Sequence, residues 1–336
     1  MINQYLIGEP GDVNDNGGDG CVGARGGRGM PGPFVPQQPA LAVGRRPRRA
    51  APLSGSESAS ADGPRRAPST HSCGAVLDHL RIAMAAAGWS AHIDRFPDAD
   101  NTEHLASIGF TEMPIVTDES QRCAEAILTR RTDRLAFGPV TDWAGFETVL
   151  RSRLDDTLAL VDVVSDADRH RLVQATDLTN ALRFYDTEYF RALQRWTAPF
   201  EASEGIPYDS LVTAAEGDRV DVGRTFPVTH HPERRDEVPN DFSTIVVISA
   251  HDDTRRDKLG CGETLSTVLL EATVAGLATC TLTHLTELST SRHLVEDVTG
   301  RPLPQVLVRI GYAPEGEHSP PPTPRRPLAD VLTVTL

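Results

Sequence analysis

No stretch of this 336-residue chain approaches the roughly 20 apolar residues of a membrane helix, which excludes a helical span. The N-terminus lacks the basic segment and apolar run of a secretory signal; Asn3, Gln4 and Glu9 stand there instead. Cysteine is scarce: five residues, scattered and odd in number, argue against a disulfide framework. Basic charge is in deficit, 33 Lys plus Arg against 47 Asp plus Glu. The net charge of −14 argues against a surface built for nucleic acid, while leaving room for a local basic pocket. A nucleophile elbow is missing, so hydrolase chemistry has no support. So is a phosphate loop after a strand, because Gly23, Gly26, Gly27 and Gly29 follow none. His230-His231 with Asp236, and His251-Asp252-Asp253, match no standard zinc or calcium spacing. They read as solvated loop residues, or as caps for a helix near Arg255. The expectation is a soluble cytoplasmic protein with no metal, membrane or nucleic-acid partner.

With 39% hydrophobic and 24% charged residues, the composition is that of an ordinary globular protein. The length suits about two domains, or one large one. Residues 1–72 stand apart. They hold 13 of the 27 glycines, only Tyr5 and Phe34 as aromatics, and no period of 2 or 3.6. Arg45, Arg46, Arg48 and Arg49 form a basic cluster there. Composition predicts an irregular or disordered tail, with a basic nucleic-acid arm as the other reading. At Cys73 the texture changes. Leu77, Leu80, Ile82, Met84 and Ala85 predict a buried helix that stops at Gly88.

That helix recurs. Cys73-Gly74-Ala75-Val76-Leu77 matches Cys261-Gly262-Glu263-Thr264-Leu265, and at the same offset Ala87-Gly88 matches Ala275-Gly276. The unit is too long for a solenoid and predicts a duplicated domain packed about a pseudo-twofold axis. In the second copy Thr244–Ser249 and Gln305–Ile310 read as strands flanking the helix, and Thr279–Leu282 leads into a loop. Residues 315–327 are Pro-rich and include Arg325-Arg326. Residues 329–336 could form an extended C-terminal arm. Arg130-Arg131-Thr132-Asp133-Arg134 puts three guanidinium groups and a hydroxyl within five residues. Such planar, permanently charged forks suit a phosphate, or else mark a solvated turn. Cys73 and Cys261 read as buried small hydrophobes rather than nucleophiles.

Several segments together resemble a known family. They are SCGAVLDHLRIAMAAAGW, RRTDRLAF (130–137), ISAHDDTRRDKLGCGETLSTVLLEATVAGLATCTLTHLTE, PQVLVRIGYA and TPRRPLADVL. Over residues 72–336 the chain resembles the actinobacterial Acg-type nitroreductases. The resemblance implies an α+β, duplicated nitroreductase-like fold: residues 73–128 the remainder of one half, residues 129–336 the other. It implies FMN between the halves and NAD(P)H as hydride donor to flavin N5. Electrons would pass to a small-molecule acceptor such as a nitroaromatic or quinone. The flavin carries the redox chemistry, so no catalytic side chain is implied. By position, Arg130, Thr132 and Arg134 match the element that holds the FMN phosphate and ribityl chain. Arg325 and Arg326 match a basic pair near the phosphate, and Leu282 and Thr283 fall near the flavin ring. The alternative is a flavin-sequestering protein without turnover. Duplication allows a monomer with pseudo-dimeric halves as well as a homodimer.

The family's first half opens with R-A-P-S-x-H-N-x-Q-P-W, facing the flavin, and this chain has no such segment. Met30–Gly44 (MPGPFVPQQPALAVG), back-translated and read one base later, permits CRAPSSHNSQPWRW. Continuing to Ser72 permits ADGRVELHLYPDRSRHLPTDPDGRRVLI, with strand-like alternation in VELHLY and a turn signal in DPDG. This runs directly into Cys73. Residues from about 14 to 72 are therefore expected to be a frameshift product, with the frame restored near Ser72.

Overall fold

The computed structural model describes residues 69–101, 103–197 and 206–314, together with the two-residue strand β1 (Leu53–Ser54). The first helix, α1 (Thr70–Ala86), begins three residues ahead of the change in composition at Cys73. Ser69 sets that start: its hydroxyl accepts from the Ser72 N–H at 3.3 Å. A hairpin follows, β2 (Trp89–Arg95) against β3 (His104–Glu112), with β1 on the far side of β3 in the order β1-β3-β2. One face of the hairpin turns Ala91, Ile93 and Ile108 onto Cys73 and Leu77 of α1. His92 and Asp94 face solvent, the alternation of a sheet covered on one side.

The second sheet runs β4 (Leu160–Val163), β5 (Thr244–Ser249), β7 (Pro304–Gly311), β6 (Ala278–Leu282), all antiparallel. Helix α7 (Arg255–Val274) covers one face, through Leu265, Val268 and Leu269 on Val246, Ile248, Val306 and Val308. The other face carries α4 (Arg169–Arg183), α8 (His284–Glu287) and α9 (Ser289–Thr299), which meet Ile245, Val247, Leu282 and Leu307. Burial on both faces explains why TIVVIS and QVLVRI are largely apolar and not alternating, with Arg309 the one charge inside them. The same packing makes Ala278–Leu282 a strand where the sequence reads as a lead-in to a loop. Helices α2 (Asp118–Thr129), α3 (Trp143–Arg153), α5 (Thr187–Thr197) and the short α6 (Ala214–Asp218) complete the described elements. The fold is α+β.

Helices α1 and α7 cross at their glycines. A Cβ on Gly74 would lie 2.0 Å from the Leu259 carbonyl oxygen, and a Cβ on Gly262 would lie 2.0 Å from that of His71. Gly74 and Gly262 are repeat mates, and so are His71 and Leu259. The two contacts are therefore reciprocal under the offset that relates the matched segments. Each helix then ends at a glycine of positive φ, Gly88 at 85° and Gly276 at 73°. Arg95 on β2 reinforces the join: its guanidinium makes two bonds, 2.7 and 2.6 Å, to the buried carboxylate of Glu263 on α7.

Candidate functional site

Arg130 terminates α2, its N–H donating to the Ala126 carbonyl at 2.9 Å. From there the chain runs irregularly to Gly138 along the edge of the second sheet. Thr132 bridges Thr279 of β6 in parallel, and the Asp133 N–H donates to the Thr279 carbonyl at 2.9 Å. Arg130, Thr132 and Arg134 are all buried. They line one cavity of about 380 Å³ with Arg131, Asp133, Asp209, Ser210, Arg234 and Arg235, and with the end of α7 at Thr273 and Gly276–Ala278.

Five arginines and two aspartates line this cavity. Two helices, α2 and α7, end there, and their carbonyl ends disfavour an anion. Side chains, not helix dipoles, must therefore supply any affinity for negative charge. The arginines divide the work. Arg131 folds back on α2, donating to the Leu128 and Arg130 carbonyls at 2.8 and 2.9 Å. Arg234 is bound to Glu216 at 2.9 and 3.0 Å. Burial pushes the Glu216 carboxyl up, but Arg234 and the Thr213 N–H outweigh it and hold it at about 2. Arg235 pairs with the Asp133 carboxylate and donates to the Ala136 carbonyl at 3.2 Å. Its φ of 54° is a strained backbone for a buried non-glycine residue. Arg134 lies 4.9 Å over the Phe226 ring and donates to the Ser210 carbonyl at 3.3 Å. The Thr132 hydroxyl is buried and has no hydrogen-bond partner among the described residues. A buried, unsatisfied hydroxyl costs about 1–3 kcal/mol, which a polar ligand in the cavity would relieve.

Behind the loop is a buried ion network. The Asp241 carboxylate accepts from the Phe137 N–H at 2.9 Å, the Ser243 hydroxyl at 2.6 Å and Arg169 at 2.8 Å. Arg309 of β7 donates to it twice, at 3.0 and 2.9 Å, and also to the Leu135 carbonyl at 2.7 Å. Burial pushes the Asp241 carboxyl up, but Arg309 and the hydrogen bonds prevail and hold it below the usual carboxylate range.

No family model matches the chain. Among curated proteins, "Putative NAD(P)H nitroreductase acg" of Mycobacterium tuberculosis is 52% identical over 263 residues, 78% of this chain and 80% of that protein. The chain belongs to the Acg-type nitroreductase family. A second relative from that organism, "Uncharacterized protein Rv3127", is 51% identical over 264 residues, 78% of this chain and 77% of that one. A third, named as nitroreductase Rv3131, is 34% identical over 265 residues. The solved FMN-dependent nitroreductase NfnB of Mycobacterium smegmatis, in complex with NADPH, superposes with a TM-score of 0.40 at 21% identity. It covers 65% of this chain and 100% of that one, too loose a likeness to assign any residue here.

In this Acg-type chain two further expected site residues, Leu282 and Thr283, do not line the cavity. Leu282 and Thr283 lie at the end of β6 opposite Ala278, about 13 Å away along the strand. Leu282 is in the core against α4 and α9. The Thr283 hydroxyl accepts from Arg224 at 3.1 Å and donates to Glu287 at 3.3 Å, and Arg224 is also ion-paired to Glu287. Arg325 and Arg326 lie outside the described residues. The helix at Arg255 is capped by Thr254, whose hydroxyl accepts from the Asp257 N–H at 3.2 Å, and not by His251, Asp252 or Asp253. No group of three or more His, Cys, Asp or Glu among the described residues could hold a metal ion. Burial pushes the Cys261 thiol up to about 12, leaving it no nucleophilic character at neutral pH. Arg234, Arg235 and Asp241 carried no sequence signal beyond being charged. Arg309 alone left a trace, as a charge inside an otherwise apolar strand.

Proposed function

We propose that the chain is an FMN-dependent NAD(P)H oxidoreductase of nitroreductase type, with Arg130, Thr132 and Arg134 holding the FMN phosphate and ribityl chain. The observation that carries this is their convergence on one arginine-lined cavity in which the Thr132 hydroxyl has no partner among the described residues. Its chemistry suits a dianionic phosphate: guanidinium forks donate, and a neutral hydroxyl completes the shell. When bound, FMN supplies the hydride acceptance and electron release. The protein's own residues bind, orient and shield. Arg130 and Arg134 bear the charge, Arg131 and Arg234 satisfy carbonyls and Glu216, and Arg235 fixes Asp133 so that the loop keeps its shape. The resemblance alone puts Leu282 and Thr283 near the flavin ring; Leu282 is packed in the core and the Thr283 hydroxyl is engaged by Arg224 and Glu287. The donor is NAD(P)H, and the acceptor a nitroaromatic or quinone-like small molecule. The setting is cytoplasmic, with one chain supplying both pseudo-symmetric halves or two chains pairing.

Residues from about 14 to 72 are read as a frameshift product, with residues 73–128 and 129–336 as the two halves. The 263–265 residues matched in the relatives are close to the length from Cys73 to Leu336. The reciprocal glycine crossing of α1 and α7 supports the duplication. Flavin sequestration without turnover is the second reading. It is favoured by one observation: in the present frame residues 30–43 do not carry the flavin-facing motif.

Titrating the purified chain with FMN and with riboflavin, by flavin fluorescence, tests the binding. FMN should bind at least tenfold tighter, because only FMN carries the phosphate. Equal affinities, or no binding of either, would remove the assignment. Anaerobic addition of NADPH to the FMN complex separates the two readings. Bleaching of the flavin absorbance supports the reductase, and a spectrum that stays oxidised supports the store.

A further inference from the structure

Between Asp133 and Gly138 the loop belongs to no helix or strand, yet each residue is fixed by a partner distant in sequence. Asp133 is held by Thr279 and Arg235, Leu135 by Arg309, and Ala136 by Arg235. Phe137 donates to Asp241 and accepts from the Phe242 N–H at 2.8 Å, and Gly138 pairs with Tyr312. Arg309 lies 4.7 Å over the Phe137 ring, beneath the same stretch. Arg235 lines the cavity and could meet a ligand there; Asp241 and Arg309 do not line it. Both are fully buried, on strand β7 and on the segment entering β5, the rigid centre of the second sheet. An ion pair of this depth gains little stability over an apolar pair of the same shape. What it does here is geometric. One carboxylate and one guanidinium fork tie the loop's Phe137 N–H and Leu135 carbonyl to the sheet.

We propose that Asp241 and Arg309 are the positioning residues of the anion site, setting the path of residues 133–137 and thereby the aim of Thr132 and Arg134 at the phosphate. This rests on the flavin-phosphate reading above. A charge-assisted hydrogen bond depends steeply on alignment, so a loop free to shift loses phosphate affinity while keeping contacts to the rest of the flavin.

The test compares FMN with riboflavin in Arg309→Lys and Asp241→Asn. Arg309→Lys keeps a positive charge opposite Asp241 but gives up the fork that reaches Leu135. It should lower the FMN-to-riboflavin preference about tenfold and leave riboflavin affinity within about twofold, while the thermal midpoint falls because the Leu135 carbonyl loses its buried donor. Asp241→Asn should do the same or more. If it fails to fold, Arg309→Lys decides alone. A folded Arg309→Lys protein that keeps the wild-type preference overturns the inference, as does one that loses both ligands equally. If the wild-type chain itself shows no preference for FMN, the phosphate reading fails instead, and the two failures are told apart.

Discussion

The three side chains proposed for the phosphate are not equivalent. Arg134 is braced by Phe226 and Ser210, whereas Thr132 is placed by a backbone bridge alone. Truncating Arg134 to alanine removes a charge-assisted donor worth about 1.5–3 kcal/mol, which weakens FMN by roughly 10- to 150-fold. Thr132→Val removes only a neutral hydroxyl and should weaken FMN less than tenfold while raising stability, because its buried oxygen has no described partner to lose. Equilibrium titration and urea midpoints of the two variants check both halves of this. A second group of residues governs acid sensitivity. Burial lowers the pKa of His71 to about 4 and that of His284 well below its ordinary 6.5. The unfolded chain takes up these protons near pH 6.5 while the native state refuses them. Their contribution is whole above pH 6.5 and is lost as pH falls toward 4, with a slope of at most about 1.4 kcal/mol per unit and group. Glu263 and Glu271, raised by burial, work in the opposite sense, so the comparison must be with a variant. His284→Leu should gain stability relative to wild type between pH 7 and pH 5; an unchanged difference would show that His284 titrates normally. At this scale the sequence was legible where chemistry is contiguous, as in Arg130-Arg131-Thr132-Asp133-Arg134. It was silent where partners are a hundred residues apart, as with Asp133 and Arg235 or Leu135 and Arg309.

Among the elements, β5 and β7 announce themselves because both faces of their sheet are covered, and α1 and α7 because long stretches of each are buried; near-continuous apolar segments need no tertiary information to be seen. β6 does not: Thr279 and Thr281 interrupt it, and its strand character comes from pairing with β7 and from the loop that seals its edge. The matched residues of α1 and α7 were legible in the sequence, but not their crossing, where each glycine meets the carbonyl three residues before the other: Gly74 that of Leu259 and Gly262 that of His71. This separates two opposing expectations for Gly262→Ala. Helix propensity alone would stabilise α7 by about 1 kcal/mol. Close packing makes a Cβ at 2.0 Å from the His71 oxygen untenable, and overpacking of this kind costs about 1–3 kcal/mol or more. The expected outcome is a lower thermal midpoint, and the same for Gly74→Ala. A midpoint that rises in either variant would mean that the helices are not in contact there.

For the molecule as a whole, the two sheets repeat one pattern. In each, the strand before the glycine-bearing helix pairs with the third strand, and the third pairs with the second: β1-β3-β2 and β5-β7-β6. The patterns differ in one respect. β5 pairs with β7 from Thr244 to Ser249, whereas β1 meets β3 only at Leu53 and Ser54. The edge of the nine-residue β3 is therefore left largely unpaired among the described residues, a condition that sheets normally avoid. The one-base-shifted reading of residues 44–72 offers VELHLY just there, a six-residue run of alternating character, directly after the RAPSSHNSQPW segment. If the shifted frame is the native one, a chain translated through it should complete that edge and supply the flavin-facing wall together. Relative to the present chain, it should bind FMN at least tenfold tighter and unfold at a higher temperature. The preference for FMN over riboflavin should be unchanged, because the phosphate site is built from residues 130–135 in both. A shifted-frame protein that gains nothing in affinity or stability would show that the first sheet is complete as it stands, and that residues 14–72 belong to the native chain.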